Sequence, residues 1–151
     1  MTDHFRDIIV KLFDRDLDKL AVEISLYDDK SSIWKITGDI KNPAGNLCLH
    51  LCGNLQHYIG KVLGGTDYKR NRDYEFSARA ISKETLLAEV RETKSTVHHT
   101  LANIEENTLA SPYPEKVFDY DMNTDYFLVH LQGHLNYHLG QINYHRRLIT
   151  T

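Results

Sequence analysis

A hydrophobic step of three and four residues, recurring through four long segments, is what most constrains the fold of this chain. In the first segment, about residues 3–27, Phe5, Ile8, Ile9, Leu12, Phe13, Leu17, Leu20 and Ile24 follow that step. At 3.6 residues per turn such positions share one helical face. Asn42-Pro43 reads as an N-cap with proline at the first helical position. It opens a second helix that ends at Gly64-Gly65, glycine being suited to the left-handed residue that closes a helix. Ser82 is placed to cap a third helix, in which Leu86, Leu87, Val90, Val97, Leu101 and Ile104 form the apolar stripe. Asn123 or Thr124 starts a fourth, running to about Ile149. The connections are a polar stretch at 28–42 with the only tryptophan, a charged irregular region at 66–80, and a proline-bearing loop at 110–123. No strand-like alternation competes. Four amphipathic helices, each about 30–40 Å long at 1.5 Å per residue, predict an all-α four-helix bundle. The two longer connections are compatible with an up-and-down or a crossover topology.

The 151 residues are read as one domain, 1–151, large enough to bury a core. A formal net charge of −3 offers no general attraction for nucleic acid or anionic membranes. The short basic runs at 68–72 and 145–147 read as a solvated loop and the basic last turn of a helix. The first residues, MTDHFRDIIVKLFDRD, are charged from the third position and fit neither a secretory signal nor a membrane anchor. Cys48 and Cys52 lie one helical turn apart, a poor geometry for a disulfide. They read as two small buried thiols, which points to a reducing cytoplasm.

Nine histidines are many for this length, and the stretch HLNYHLGQINYH at 134–145 holds three of them. With Leu131 as origin, Leu128, Leu135, Ile142 and Ile149 fall within about 60° on the inward face. His138 lies about 20° from Leu131, His134 about 60° and His130 about 100°. The first two therefore border the core, and His130 faces solvent. His134 and His138 have the i,i+4 spacing that lets two imidazoles share a metal. On the second helix His50 sits about 60° from the inward Leu47 and Asn54 about 20°, with His57 further round at about 80°. Histidines flanking the apolar stripes of two helices suit a metal site in a bundle core. The same histidines also fit core side chains satisfied by a carbonyl or hydroxyl. No glutamate follows His134, so the H-E-x-x-H arrangement of zinc peptidases is missing. His145 shares the inward sector but lies roughly 10 Å along the axis from His138, too far for one coordination sphere. His98 and His99 are expected at the surface.

Two of these stretches resemble the DinB/YfiT-like family of metal-dependent enzymes. LHLCGNLQHYIGKVLGG, at 49–65, is similar to an H-L-x-G-N pattern in its second helix, and HLNYHLGQI, at 134–142, to its H-x-x-x-H-x-G-Q-I pattern. The order and spacing of the helices agree along essentially the whole chain. The resemblance implies a bundle in which three histidines bind one divalent metal at one end, and it places the ligands on His50, His134 and His138. Three imidazoles with an open position describe a catalytic site. Zinc or nickel suits such ligands, with iron and manganese as further candidates. Family members include thiol S-transferases and amidase- or isomerase-like enzymes. The expected function is therefore a metal-dependent enzyme acting on a small molecule, such as a low-molecular-weight thiol. No catalytic residue is assignable. The alternative is a bundle whose histidines serve metal binding or stability, acting through association or stress response. The resemblance also implies a homodimer, for which Tyr137 and Tyr144 are candidate interface residues.

Four neighbours carry further expectations. Asn54 either orients a bound water or substrate or, preferably, caps a buried carbonyl. Gln141 either supports His138 or, preferably, joins two helices. Gly53 and Gly140 are expected to permit close helix approach, since glycine within a helix otherwise costs about 1 kcal/mol relative to alanine.

Overall fold

The computed structural model describes residues 2–28 and 30–149. Four long helices form the bundle: α1 (Thr2–Ser25), α2 (Ala44–Leu55), α4 (Lys83–Ala102) and α6 (Thr124–Ile149). Two short helices, α3 (Arg72–Ser77) and α5 (Glu106–Leu109), and a 3₁₀ turn (Ser32–Trp34) occupy the connections. Among the described residues there is no β-strand, and no helix is long and apolar enough to cross a membrane.

The expected stripes form the core. Ile9, Phe13, Leu17, Leu20 and Ile24 of α1 meet Leu86, Val90, Val97 and Leu101 of α4, and Leu128, Leu131, Leu135 and Ile142 of α6 complete the packing. Ile8, counted in the α1 stripe, stands at its edge and is exposed. α1 lies against α4 and α6, and α2 lies against the same two helices. Successive helices α1 and α2 are therefore diagonal partners, as are α4 and α6, and the two long connections cross the bundle. This resolves the topology left open by loop lengths: α1 to α2 is not a simple hairpin.

α1 is pinned to α6 by a carboxylate as well as by apolar burial. Asp16 is fully buried and accepts hydrogen bonds from Gln132 and Asn136 of α6 and, at 2.9 Å, from Arg15 Nε. Burial pushes its carboxyl up, but the bonds from Arg15 and Asn136 outweigh that and hold it below the usual range. His134 sits between these two anchoring side chains in sequence.

Three boundaries differ from expectation. The second helix begins at Ala44 with Pro43 as its cap residue, one position later than the Asn42 cap. Its continuation to Gly64-Gly65 is a π-helical turn, Gln56–Lys61, and Gly65 adopts the expected positive φ of 69°. The region at 66–80 is not wholly irregular, because the Asn71 side chain accepts from Tyr74 N at 3.1 Å and caps α3. α3 is less than two turns long, too short for any hydrophobic period to register. Ser82 caps α4 as expected, accepting from Thr85 N at 3.1 Å.

Candidate metal centre

The fold brings His50 of α2 to His134 and His138 of α6. One ring nitrogen from each lies within 4.8 Å of the others. His50 is buried and the two α6 histidines are half-buried. The three rings meet edge to face, with centroids 4.6–5.3 Å apart. His50 Nε2 and His134 Nε2 approach to 3.2 Å.

Two of the rings are held from behind. His50 Nδ1 lies 3.1 Å from Glu75 Oε1, and His138 Nδ1 lies 2.7 Å from Gln141 Oε1. A carboxylate and an amide oxygen only accept, so each Nδ1 carries its proton and each Nε2 turns a lone pair inward. Facing lone pairs at 3.2 Å repel unless a proton or a cation lies between them. His134 Nδ1 is buried with no hydrogen-bond partner among the described residues. The donor set, three imidazoles of which His50 and His138 have backing acceptors, fits a divalent ion.

Glu75 is the residue the sequence reading missed. It comes from α3, inside the stretch taken as irregular, and is clamped by Arg70, whose Nε and Nη2 donate to its two oxygens at 2.9 and 3.0 Å. Arg70 Nη2 also passes 3.4 Å from His50 Nδ1, a long contact between two groups that both donate to Glu75. Burial pushes the Glu75 carboxyl up, yet the hydrogen bonds from His50 and Arg70 prevail and hold it below the ordinary range. Its ionised form is what keeps the His50 proton on Nδ1. Gly53 makes room for this: a Cβ there would run into the Glu75 carboxylate. The expected close approach at Gly53 is real, but the neighbour is a side chain of α3 rather than a long helix. Gly140 does not permit helix approach, because a Cβ there meets nothing within 4 Å and the residue is exposed.

Electrostatics favour neutral ligands. Burial, reinforced by the nearby His138 and His50, brings the His134 imidazole down to about 4. Burial also lowers His138, with the Gln141 bond partly opposing it. Neutral imidazole is the form that coordinates metal.

The other candidates fall elsewhere. His145 is a core histidine: its Nε2 donates to Lys35 O at 2.8 Å and its Nδ1 accepts from the Tyr27 hydroxyl at 2.6 Å. His57 lies 2.7 Å from Glu115 and is not one of the clustered rings. His130 is exposed and stacks on Phe127, and His98 pairs with Asp14 at the surface, with His99 exposed beside it. Gln141 supports His138, so the helix-joining role preferred from sequence does not apply. Among the described residues the Asn54 amide N–H makes no hydrogen bond to a carbonyl, and its buried Oδ1 has no partner either. Cys48 and Cys52 are buried free thiols, and their mutual hydrogen bond and burial push the Cys48 thiol up, away from nucleophilic reactivity.

A cleft of about 260 Å³ opens beside His50 and His134, with Tyr58, Phe118 and Phe127 among its walls. A larger one, about 830 Å³, lies along the 112–126 loop and is lined by none of the three histidines.

No curated protein compared with the chain matches it. Among solved structures it is similar to the crystal structure of a conserved protein from Enterococcus faecalis, at 14% identity and a TM-score of 0.76, covering 95% of this chain and 96% of that one. At that identity the likeness speaks for the fold alone. The model of the DinB superfamily matches residues 24–142, a span that takes in all three clustered histidines, and the chain belongs to that superfamily.

Proposed function

We propose that this chain is a metal-dependent enzyme acting on a small molecule, with His50, His134 and His138 holding one divalent ion, zinc or nickel before iron or manganese. The observation that carries the reading is the convergence of three ring nitrogens, two of them aimed by hydrogen bonds from Nδ1 to Glu75 and Gln141. When bound, such an ion supplies Lewis acidity, which favours the thiolate of a bound thiol or the hydroxide of a bound water. The chain's own residues do the rest. Glu75 fixes the His50 tautomer, Arg70 keeps Glu75 ionised, and Tyr58, Phe118 and Phe127 give the cleft beside the site an aromatic wall. A cleft beside the histidines supports catalysis over a closed, purely structural site. Thiol S-transfer is the reaction to test first: zinc- and nickel-loaded protein is assayed with low-molecular-weight thiols and a bimane electrophile. Metal-dependent conjugation is expected. Its absence across thiols, amides and esters favours the non-catalytic bundle instead. The two reduced, buried cysteines support a cytoplasmic setting.

A homodimer is part of the same proposal. Tyr137 and Tyr144 are each 65% exposed on α6, in line with exposed Val129 and Leu148 and with the open glycines Gly133 and Gly140. An antiparallel second copy of α6 can set Tyr137 opposite Gly140, Tyr144 opposite Gly133 and Leu148 opposite Val129, bulk against space along the whole face.

A further inference from the structure

We propose that the cleft beside the three histidines is an anion-binding subsite, selecting small molecules that carry a carboxylate or similarly charged group next to a flat apolar portion. The inference deepens the enzyme reading and rests on it for the role of the bound molecule, but the charge preference comes from the cleft itself. Arg70, Arg72 and His130 line the cleft and no aspartate or glutamate does. The nearest acid, Glu75, is 3% exposed and has both oxygens committed to Arg70 and His50. Arg70 is thereby neutralised, whereas Arg72 has no carboxylate partner among the described residues. Its guanidinium lies 5.2 Å from the Phe76 ring centroid, and Phe76 in turn packs on His50 at 4.8 Å. This stack holds an uncompensated cation next to the histidines rather than loose in solvent.

The remaining walls say what accompanies the charge. Tyr58, Phe118 and Phe127 are aromatic, and weaker water screening against such surfaces strengthens a guanidinium–carboxylate bond. Asn54 supplies a second polar point. It lines the cleft, is 7% exposed, and its buried Oδ1 lacks a partner, a costly arrangement unless a ligand donates to it. The fitting ligand therefore presents an anionic group toward Arg72 and an N–H or O–H toward Asn54. At about 260 Å³ the cleft is below the usual range for drug-sized ligands, so it takes a small molecule or one end of a larger one.

The test titrates 3-hydroxybenzoate and its neutral isostere 3-hydroxybenzamide, whose shared hydroxyl can donate to Asn54, into metal-free and zinc-loaded protein by calorimetry, with amide NMR shifts locating the site. The hydroxybenzoate is expected to bind about tenfold more tightly than the hydroxybenzamide in both forms, in keeping with a charge-assisted bond. Shifts should centre on Asn54 and Phe118. Arg72→Gln, at an exposed position that leaves the fold intact, should bring the hydroxybenzoate down to the level of the hydroxybenzamide. Equal binding of the two probes to the metal-free protein, hydroxybenzoate binding only after zinc loading, or an Arg72→Gln variant that behaves as the parent each overturns the proposal. Failure of the protein to take up zinc would count against the metal reading alone, since the metal-free titration stands without it.

Discussion

His50 shows how far a single residue's role depends on what stands behind it. Its Nε2 faces the other two histidines only because Glu75 takes the proton on Nδ1. Glu75→Gln keeps the shape but replaces an ionised acceptor, and metal affinity should fall about 10- to 100-fold in a chelator competition titration. An unchanged affinity would remove Glu75 from the site. The three clustered histidines were legible as candidates because helical spacing sets the angle of each side chain about its axis, and the resemblance to the DinB/YfiT-like patterns singled them out as the ligand set. Glu75 and Arg70 were not, since their position depends on a tertiary contact across Gly53 that no local period encodes. Gln141 and Asn54 were visible as neighbours, but their partners were misjudged: spacing tells which face a side chain occupies, not which atom it meets.

At the scale of elements, the long helices followed from their stripes, whereas the short ones that finish the site did not. α3 spans six residues and the π turn another six, both shorter than the window in which a hydrophobic period emerges. α3 nevertheless matters to placement, because it carries Glu75. Gly53→Ala tests that contact: the added methyl group displaces the carboxylate, and metal affinity should drop as it does in Glu75→Gln while helicity by circular dichroism is retained. Loss of helicity, or no change in affinity, would contradict it. Asp16 is the corresponding link between α1 and α6. Asp16→Ala leaves the Gln132 and Asn136 amides without their acceptor and should cost about 2 kcal/mol in denaturant unfolding. On the outer face of α6, Gly140→Arg fills the space proposed for the partner's tyrosine. Light scattering should then report a monomer where the parent is a dimer; a parent that is itself monomeric removes the dimer from the account.

For the whole molecule, the diagonal arrangement puts α2 against α6 and so brings His50 to His134 and His138, which lie 84 and 88 positions further along the sequence. Stability of the metal-free protein should carry the signature of its buried histidines. His134, His138 and His145 all have folded values below the ordinary imidazole, His134 at about 4. Between that value and about 6.5 the unfolded chain binds more protons, so stability rises with pH. Asp16 and Glu75, held below the usual carboxylate range, act in the same direction at still lower pH. Thermal melts should show Tm steady above about pH 6.5 and falling as pH is lowered toward 4. A Tm flat across that window would contradict the burial of neutral rings.

The most direct test is metal content by elemental analysis of untagged protein reconstituted with zinc and desalted, alongside His50→Ala, His134→Ala, His138→Ala and His145→Ala. About one zinc per chain is expected in the parent and in His145→Ala, and loss of tight binding in each of the other three. A parent that retains no metal, or a His50→Ala variant that retains it fully, would contradict the three-histidine site.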